Sequence, residues 1–269
     1  MTVGEWLAQA TKQLQDIGIT SARLDAQLLL CDKLNQNKAW LLAHPEYKLA
    51  STTDINKKLS RRLQREPLAY IRCKQEFYGR SFTVAPATLI PRPETEEIIT
   101  RLSHLQPQPN HKLLDIGTGS GAIAITAKLE FPQLELYATD TSTAALQTAQ
   151  QNAQNLSAKI TFYQQDLLTN ETHSPYTYII ANLPYVSPDW QRSPETNHEP
   201  ASALFAEEDG LALIHQLITQ APTHLEPQGY LLLEADPRQH KAIITHAQKH
   251  GFKTINQAGF ILVQQSKKF

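Results

Sequence analysis

Asn182-Leu183-Pro184-Tyr185 directly follows the apolar run Tyr178-Ile179-Ile180-Ala181. A buried strand ending this way sets a carboxamide at the edge of a sheet. The Asn182 side-chain oxygen can accept one N–H of an NH2 group, and a backbone carbonyl beside Pro184 can accept the other. The proline ring stiffens that turn, Leu183 lies within it, and Tyr185 can pack on the flat face of a bound group. These contacts suit a nitrogen that is a poor nucleophile because its lone pair is delocalised. Holding both hydrogens in fixed acceptors turns the lone pair toward an electrophilic carbon, by positioning and preorganised dipoles. No strong general base is needed.

A second cluster places three of the ten glycines within five positions: Gly117-Thr118-Gly119-Ser120-Gly121, after Leu114-Asp115-Ile116. Glycine tolerates positive φ and lets a ligand approach the backbone with no Cβ in the way. The spacing is G-x-G-x-G, distinct from the dinucleotide-type G-x-G-x-x-G. Asp140 ends the next apolar run, where a carboxylate can accept hydrogen bonds from both hydroxyls of a ribose. An Asp before Thr141-Ser142 is also a good helix cap. Asp166, followed by Leu167-Leu168, ends the third run. There a carboxylate or the adjacent backbone would read an exocyclic amine, while an apolar side chain covers the base.

The elements needed to position these groups are legible around them. The runs Lys112–Ile116, Leu134–Thr139, Ile160–Gln164, Tyr178–Ala181, Tyr230–Glu234 and Phe260–Gln265 read as strands. Between them, Ala122–Leu129, Thr143–Leu156, Leu211–Ala221 and Arg238–His250 read as helices. Strand–helix alternation with short connections implies a parallel sheet covered on both faces, with ligands at the carboxyl ends of its strands. Lys253–Gln257 and Phe260–Gln265 are joined only by Ala258-Gly259, so they should form an antiparallel hairpin. The expected class is therefore α/β: a mainly parallel seven-stranded sheet with its last strand antiparallel, the Rossmann-like methyltransferase architecture.

Upstream, the pattern is helical. Trp6, Ala10, Leu14 and Ile17 share one face of a 3.6-residue period, and Leu28–Leu30 with Leu34 mark a second helix. Ile55, Leu59 and Leu63 mark a third, with Lys57, Lys58, Arg61 and Arg62 assigned to its wet side. Glu76–Val84 reads as a hairpin. The expected domains are a helical docking domain at 1–72, a β-hairpin linker at 73–90 and the Rossmann-like domain at 91–269. The 269 residues carry 25 basic and 26 acidic side chains, yet unevenly. Residues 1–85 hold 13 Lys/Arg against 8 Asp/Glu, a net of +5, and residues 86–269 hold 12 against 18, a net of −6. A basic first module suits an acidic partner. With 41% hydrophobic residues, no apolar stretch long enough to span a bilayer and no signal-peptide core, a soluble cytoplasmic protein is expected. Cys31 and Cys73 lack ligand spacing, so neither a disulfide nor a metal site is expected.

Further distinctive runs are Arg23-Leu24-Asp25-Ala26 with Leu28–Leu30, Glu66-Pro67-Leu68-Ala69-Tyr70-Ile71, and Glu76-Phe77-Tyr78-Gly79. Others are Leu89-Ile90-Pro91-Arg92-Pro93-Glu94-Thr95-Glu96, Glu199-Pro200 and Glu208-Asp209-Gly210-Leu211. With the glycine loop and the Asn182–Tyr185 turn, they make the chain resemble, over nearly its whole length, the peptide chain release factor glutamine N5-methyltransferases. The loop and turn occur in many amino methyltransferases; the Ile-Pro-Arg-Pro-Glu-Thr-Glu run is far more specific. Leu183 stands where that family usually has proline, a variant also found in rRNA adenine N6-methyltransferases.

The resemblance implies a cytoplasmic, monomeric enzyme that methylates the glutamine side-chain amide in the Gly-Gly-Gln motif of release factors, needing neither membrane nor nucleic acid. S-adenosylmethionine would be the donor. Gly117–Gly121, Asp140, Asp166, Leu167 and Asn182 would contact the donor, while Asn182–Tyr185 would hold the glutamine. Four other readings compete: an N6-adenine methyltransferase acting on rRNA or DNA, a ribosomal-protein glutamine methyltransferase, a nicotinamide-dependent dehydrogenase, and a non-catalytic donor-binding scaffold. A nucleic-acid enzyme would want a basic catalytic face, which the −6 half does not offer. A dehydrogenase would leave Asn182–Tyr185 without a role.

Overall fold

The structure, a computed structural model, describes residues 1–256 and 260–266. The proposed turn at Ala258-Gly259 lies outside the described residues. Two compact units form, one from 1–74 with 193–198, the other from 75–192 with 199–269.

The first unit is helical. Its opening helix, Val3–Asp16, starts at a capping box in which Thr2 and Glu5 satisfy each other's backbone N–H groups. Trp6, Ala10 and Leu14 are buried, as their spacing predicts, against Leu29 and Leu30 of the helix Ala22–Leu34 and Ile55 and Leu59 of the helix Thr53–Leu63. Ile17 is the C-cap residue and only partly buried. Arg62 departs from expectation: it is buried, with its Nε donating to Asp25 Oδ2 at 2.7 Å and Nη1 to Glu195 Oε1 at 3.1 Å. The reason is periodicity. Position 62 is seven residues after Ile55, so it returns to the apolar face, where the paired carboxylates compensate its buried charge.

The second unit is built on a seven-stranded sheet. A two-stranded hairpin, β1 (Lys74–Phe77) and β2 (Arg80–Thr83), precedes it. The sheet strands are β3 (Lys112–Ile116), β4 (Glu135–Asp140), β5 (Thr161–Gln164), β6 (Tyr176–Ala181), β7 (Leu225–Glu234), β8 (Phe252–Asn256) and β9 (Phe260–Gln265). Their spatial order is β5-β4-β3-β6-β7-β9-β8. Pairing is parallel from β5 to β7, and β9 alone runs antiparallel to both its neighbours, β7 and β8. This is the expected architecture. β7 starts earlier than its apolar run suggests, and its register with β6 shifts between Tyr176 and Tyr178.

The sheet has two buried faces, so its strands read as continuous apolar runs; all six residues of β6 are buried. Alternation divides them. Leu114, Ile116, Ile179, Ala181, Leu231 and Leu233 pack with the helices Ala212–Gln220 and His240–Lys249. Leu113, Tyr178, Ile180 and Leu232 pack with Phe77, Phe82, Ile98 and the helix Ala122–Glu130. The register then aligns the strand ends. Ile116 pairs with both Thr139 and Ala181, and Ala181 pairs with Leu233. Whatever follows these residues converges on one edge of the sheet, at the point between β3 and β6 where strand order reverses.

Candidate active site

Gly117, Gly119 and Gly121 all take positive φ, at +71°, +55° and +81°. The loop is held from both sides. Asp140 Oδ2 accepts the Gly119 N–H at 2.9 Å and its Oδ1 accepts the Ser142 N–H at 2.9 Å, tying the glycine turn to the end of β4. Asn152 donates Nδ2 to Ser120 O at 2.9 Å and pairs with the Thr83 backbone in both directions. Beneath the loop, Asp115 is fully buried. Its Oδ2 accepts from Thr118 Oγ1 at 2.7 Å and from the Ala124 N–H at 3.2 Å, while Oδ1 has no partner among the described residues. Burial pushes this carboxyl up to about 7, and the neighbouring Asp140 adds to the shift.

The loop is one wall of a cavity of about 280 Å³. Gly117, Thr118, Gly119, Ser120, Asp140, Asp166, Leu167, Asn182, Leu183 and Pro184 all line it. The structure thus gathers these expected residues from four strand ends. Gly121 and Tyr185 are not on its wall. Gly121 stands behind the loop, where a Cβ would lie 2.8 Å from Ile125 Cδ1 and 3.1 Å from Ala149 Cβ, so glycine there lets two helices approach. Leu167 is buried at φ +48°, its carbonyl accepting from Gln165 Nε2 at 2.8 Å, and Asp166 is exposed beside it.

At the end of β6, Asn182 donates Nδ2 to Glu234 Oε2 at 2.9 Å and to Thr95 Oγ1 at 3.3 Å. The polar atom left to the cavity is the acceptor Oδ1. Tyr185 donates its hydroxyl to Glu234 Oε1 at 3.3 Å, and Gln239 Nε2 donates to both Tyr185 O and Asp209 O at 2.8 Å. Burial beside Glu234 raises the Tyr185 phenol well above its ordinary range. Glu234 is itself pushed up by burial, opposed by hydrogen bonds from Thr95, Tyr185 and Asn182. Gly210, at φ +84°, sits so close that a Cβ would fall 2.0 Å from Tyr185 O.

The run Ile90–Glu96 is a brace for this turn. Pro93–Glu96 forms a 3-10 turn, from which Thr95 reaches Asn182 and Glu96 Oε1 accepts the Tyr78 N–H at 2.8 Å. Glu199 is buried and holds the run in place, accepting from the Ile90 N–H and pairing with Arg92. The sequence pattern by itself gives these residues no role and does not single out Glu234 as a site residue. One signal was available: Glu234 is a charge ending the run Leu231-Leu232-Leu233, on the same sheet edge as Asp140 and Asn182.

Comparison with known proteins bears on the same segments. Residues 5–72 match the family model described as PrmC N-terminal domain, and residues 100–199 match the methyltransferase small domain. The release factor glutamine methyltransferase of Koribacter versatilis is 40% identical over 249 residues, covering 88% of this chain and 89% of that one. That of Coxiella burnetii is 36% identical over 259 residues, covering 95% and 93%. The chain belongs to the release factor glutamine methyltransferases. Among solved structures, a methyltransferase from Pyrococcus furiosus superposes with a TM-score of 0.51 at 15% identity, covering 78% of this chain and 96% of that one. That likeness shows the Rossmann-like methyltransferase fold, shared well beyond the release factor glutamine methyltransferases themselves.

The cavity fits this family's donor, S-adenosylmethionine. A Cβ on Gly119 would meet nothing within 4 Å, and one on Gly117 only Leu183 Cδ2 at 3.3 Å, so the glycines keep open a cradle that a side chain would fill. Carboxylates at Asp140 and Asp166 offer acceptors for hydroxyl and amino groups and suit a cationic ligand, while Leu167 supplies an apolar wall.

Proposed function

We propose that the chain methylates the side-chain amide nitrogen of the glutamine in the Gly-Gly-Gln motif of peptide chain release factors. The observation that carries this reading is the polarity of Asn182. With Nδ2 bound to Glu234 and Thr95, the amide offers an incoming NH2 group an acceptor. The same turn would serve the exocyclic amine of a base; family membership selects the carboxamide.

Gly117–Ser120, Asp140, Asp166 and Leu167 would hold the donor, with Asp140 taking the ribose hydroxyls on the lone pairs left by its two backbone bonds. When bound, S-adenosylmethionine supplies an electrophilic methyl group on a cationic sulfur. Asn182 Oδ1 accepts one N–H of the glutamine and a main-chain carbonyl beside Pro184 accepts the other. The face of the amide that carries the nitrogen lone pair is thereby aimed at the electrophilic carbon. Tyr185 would flank the substrate, its hydroxyl anchored on Glu234. After transfer the alkylated amide nitrogen is strongly acidic and gives one N–H proton to water, so no strong base is needed. The proposed enzyme acts as a monomer in the cytoplasm, where a release factor substrate would be met. The basic helical domain at 1–72 would dock the protein substrate, with 73–90 as the connecting segment.

The test is incubation of the purified protein with labelled donor and purified release factor, followed by peptide mass mapping. Label on the Gly-Gly-Gln glutamine is expected. In Asn182→Ala, turnover should fall roughly 10²-fold or more while donor binding persists, the usual cost of one preorganised polar contact. Unlabelled release factor, or full turnover in the variant, would sink the reading.

A further inference from the structure

We infer that Glu234 is a positioning residue that fixes which end of the Asn182 carboxamide faces the substrate, and so makes the site selective for N–H donors. The inference rests on the methyl-transfer reading above and extends it to a residue outside the Asn-Leu-Pro-Tyr turn. A carboxamide at the end of a strand has two orientations related by a half-turn about its last bond. One presents an oxygen to the pocket, the other an NH2 group. Only the first receives an amide nucleophile; the second sets donor against donor. Nothing within Asn182-Leu183-Pro184-Tyr185 chooses between them.

Glu234 makes the choice. It ends β7 one residue after Leu233, the pairing partner of Ala181, so the parallel register brings it beside Asn182. It is only 6% exposed. Its Oε2 accepts from Asn182 Nδ2 at 2.9 Å, and Thr95 Oγ1 accepts from the same nitrogen while its own hydroxyl bonds Glu234. A carboxylate is acceptor-only, so the flipped amide would face oxygen with oxygen in a dry setting. Glu234 Oε1 meanwhile takes the Tyr185 hydroxyl, so one side chain holds both ends of the turn. The charged and titratable groups facing this cluster are Glu94 on the 3-10 turn, Arg92 before it, Tyr185 on the turn itself and Asp236 beyond β7. A buried carboxylate is a costly way to fill space that an apolar residue could occupy. Its acceptor-only chemistry is what the position needs.

Two variants of the full chain test this. Glu234→Leu fills the space and removes both acceptors; Glu234→Gln keeps one acceptor oxygen for Asn182 and turns its NH2 to the Tyr185 hydroxyl. In Glu234→Leu, kcat toward the release factor should fall about 10²-fold, as when a preorganised contact is lost, with Glu234→Gln retaining within about tenfold of wild type. KM for the release factor and calorimetric affinity for S-adenosylhomocysteine should stay within about threefold in both, because only orientation is lost. A release factor bearing Glu in place of the target Gln supplies the readout a merely structural role would not move. It should be a poor competitor of the wild type, whose fixed oxygen opposes a carboxylate. Against Glu234→Leu it should compete about tenfold better, because the freed Asn182 amide can turn its NH2 to it. Turnover within threefold of wild type in both variants, parallel loss of turnover and donor affinity, or an unchanged competitor would each overturn the inference. If the wild type itself fails to label the release factor, the methyl-transfer reading fails instead.

Discussion

Gly119→Ala separates space the fold leaves open from space the fold needs. Gly119 has φ +55°, and its missing Cβ would meet no protein atom within 4 Å. Its bond to Asp140 Oδ2 uses only the backbone N–H of Gly119, so a methyl at this position leaves it intact. The unliganded protein should therefore lose only the left-handed backbone penalty, about 1–2 kcal/mol. For a domain of this size that lowers Tm by about 2–4 °C per kcal/mol. The added methyl projects into the cavity, however, where a close-fitting ligand must be displaced. Overpacking of that kind costs about 1–3 kcal/mol, or roughly 5- to 150-fold in Kd. Calorimetric titration with S-adenosylhomocysteine, alongside thermal melts of the free protein, measures both. A Kd within twofold of wild type would refute the placement of the donor on this loop. A stability loss much above the backbone penalty would refute the openness of the cradle.

Gly210→Ala should behave in the opposite way. Its Cβ would fall 2.0 Å from Tyr185 O and 2.7 Å from Gln239 Nε2 at φ +84°, distances real Cβ atoms essentially never show, so the Asn182–Tyr185 turn must shift. Turnover should drop about 10²-fold with a stability loss of about 3 kcal/mol. Gly79→Ala, with φ +70° and nothing within 4 Å, is the control, expected to keep turnover within about twofold; equal losses in both would refute the clash. Asp115 makes stability depend on pH. Its native pKa of about 7 lies above its ordinary value of 3.8. Its stabilising contribution is therefore full below about pH 4 and is lost as pH rises to about 7, roughly 4 kcal/mol in all. Urea melts should show Asp115→Asn gaining on the wild type by about that amount between these limits; a constant gap would refute the shift.

Local pattern predicted much of this molecule. Continuous apolar runs read as doubly covered strands because neither face of the sheet meets water, and β3, β6 and β9 lie where those runs lie. The glycine cluster and the Asn-Pro turn were legible because each needs backbone geometry that few residue types allow. Charge alone suggests an exposed Arg62, but its seven-residue spacing from Ile55 puts it on the buried face.

What the chain determines by itself is the set of elements, their order, and the two turns that line the cavity, since propensity, periodicity and turn residues act over a few positions. Tertiary structure alone decided what orients those turns. Asn182 meets Thr95 across 87 positions and Glu234 across 52, and Arg92 meets Glu199 across 107. It also decided that Gly121 serves helix packing behind the cradle and that Tyr185 stands off the cavity wall. Strand register and helix packing bring such residues together, and both come from burial summed over the whole sheet, which no short window of sequence contains.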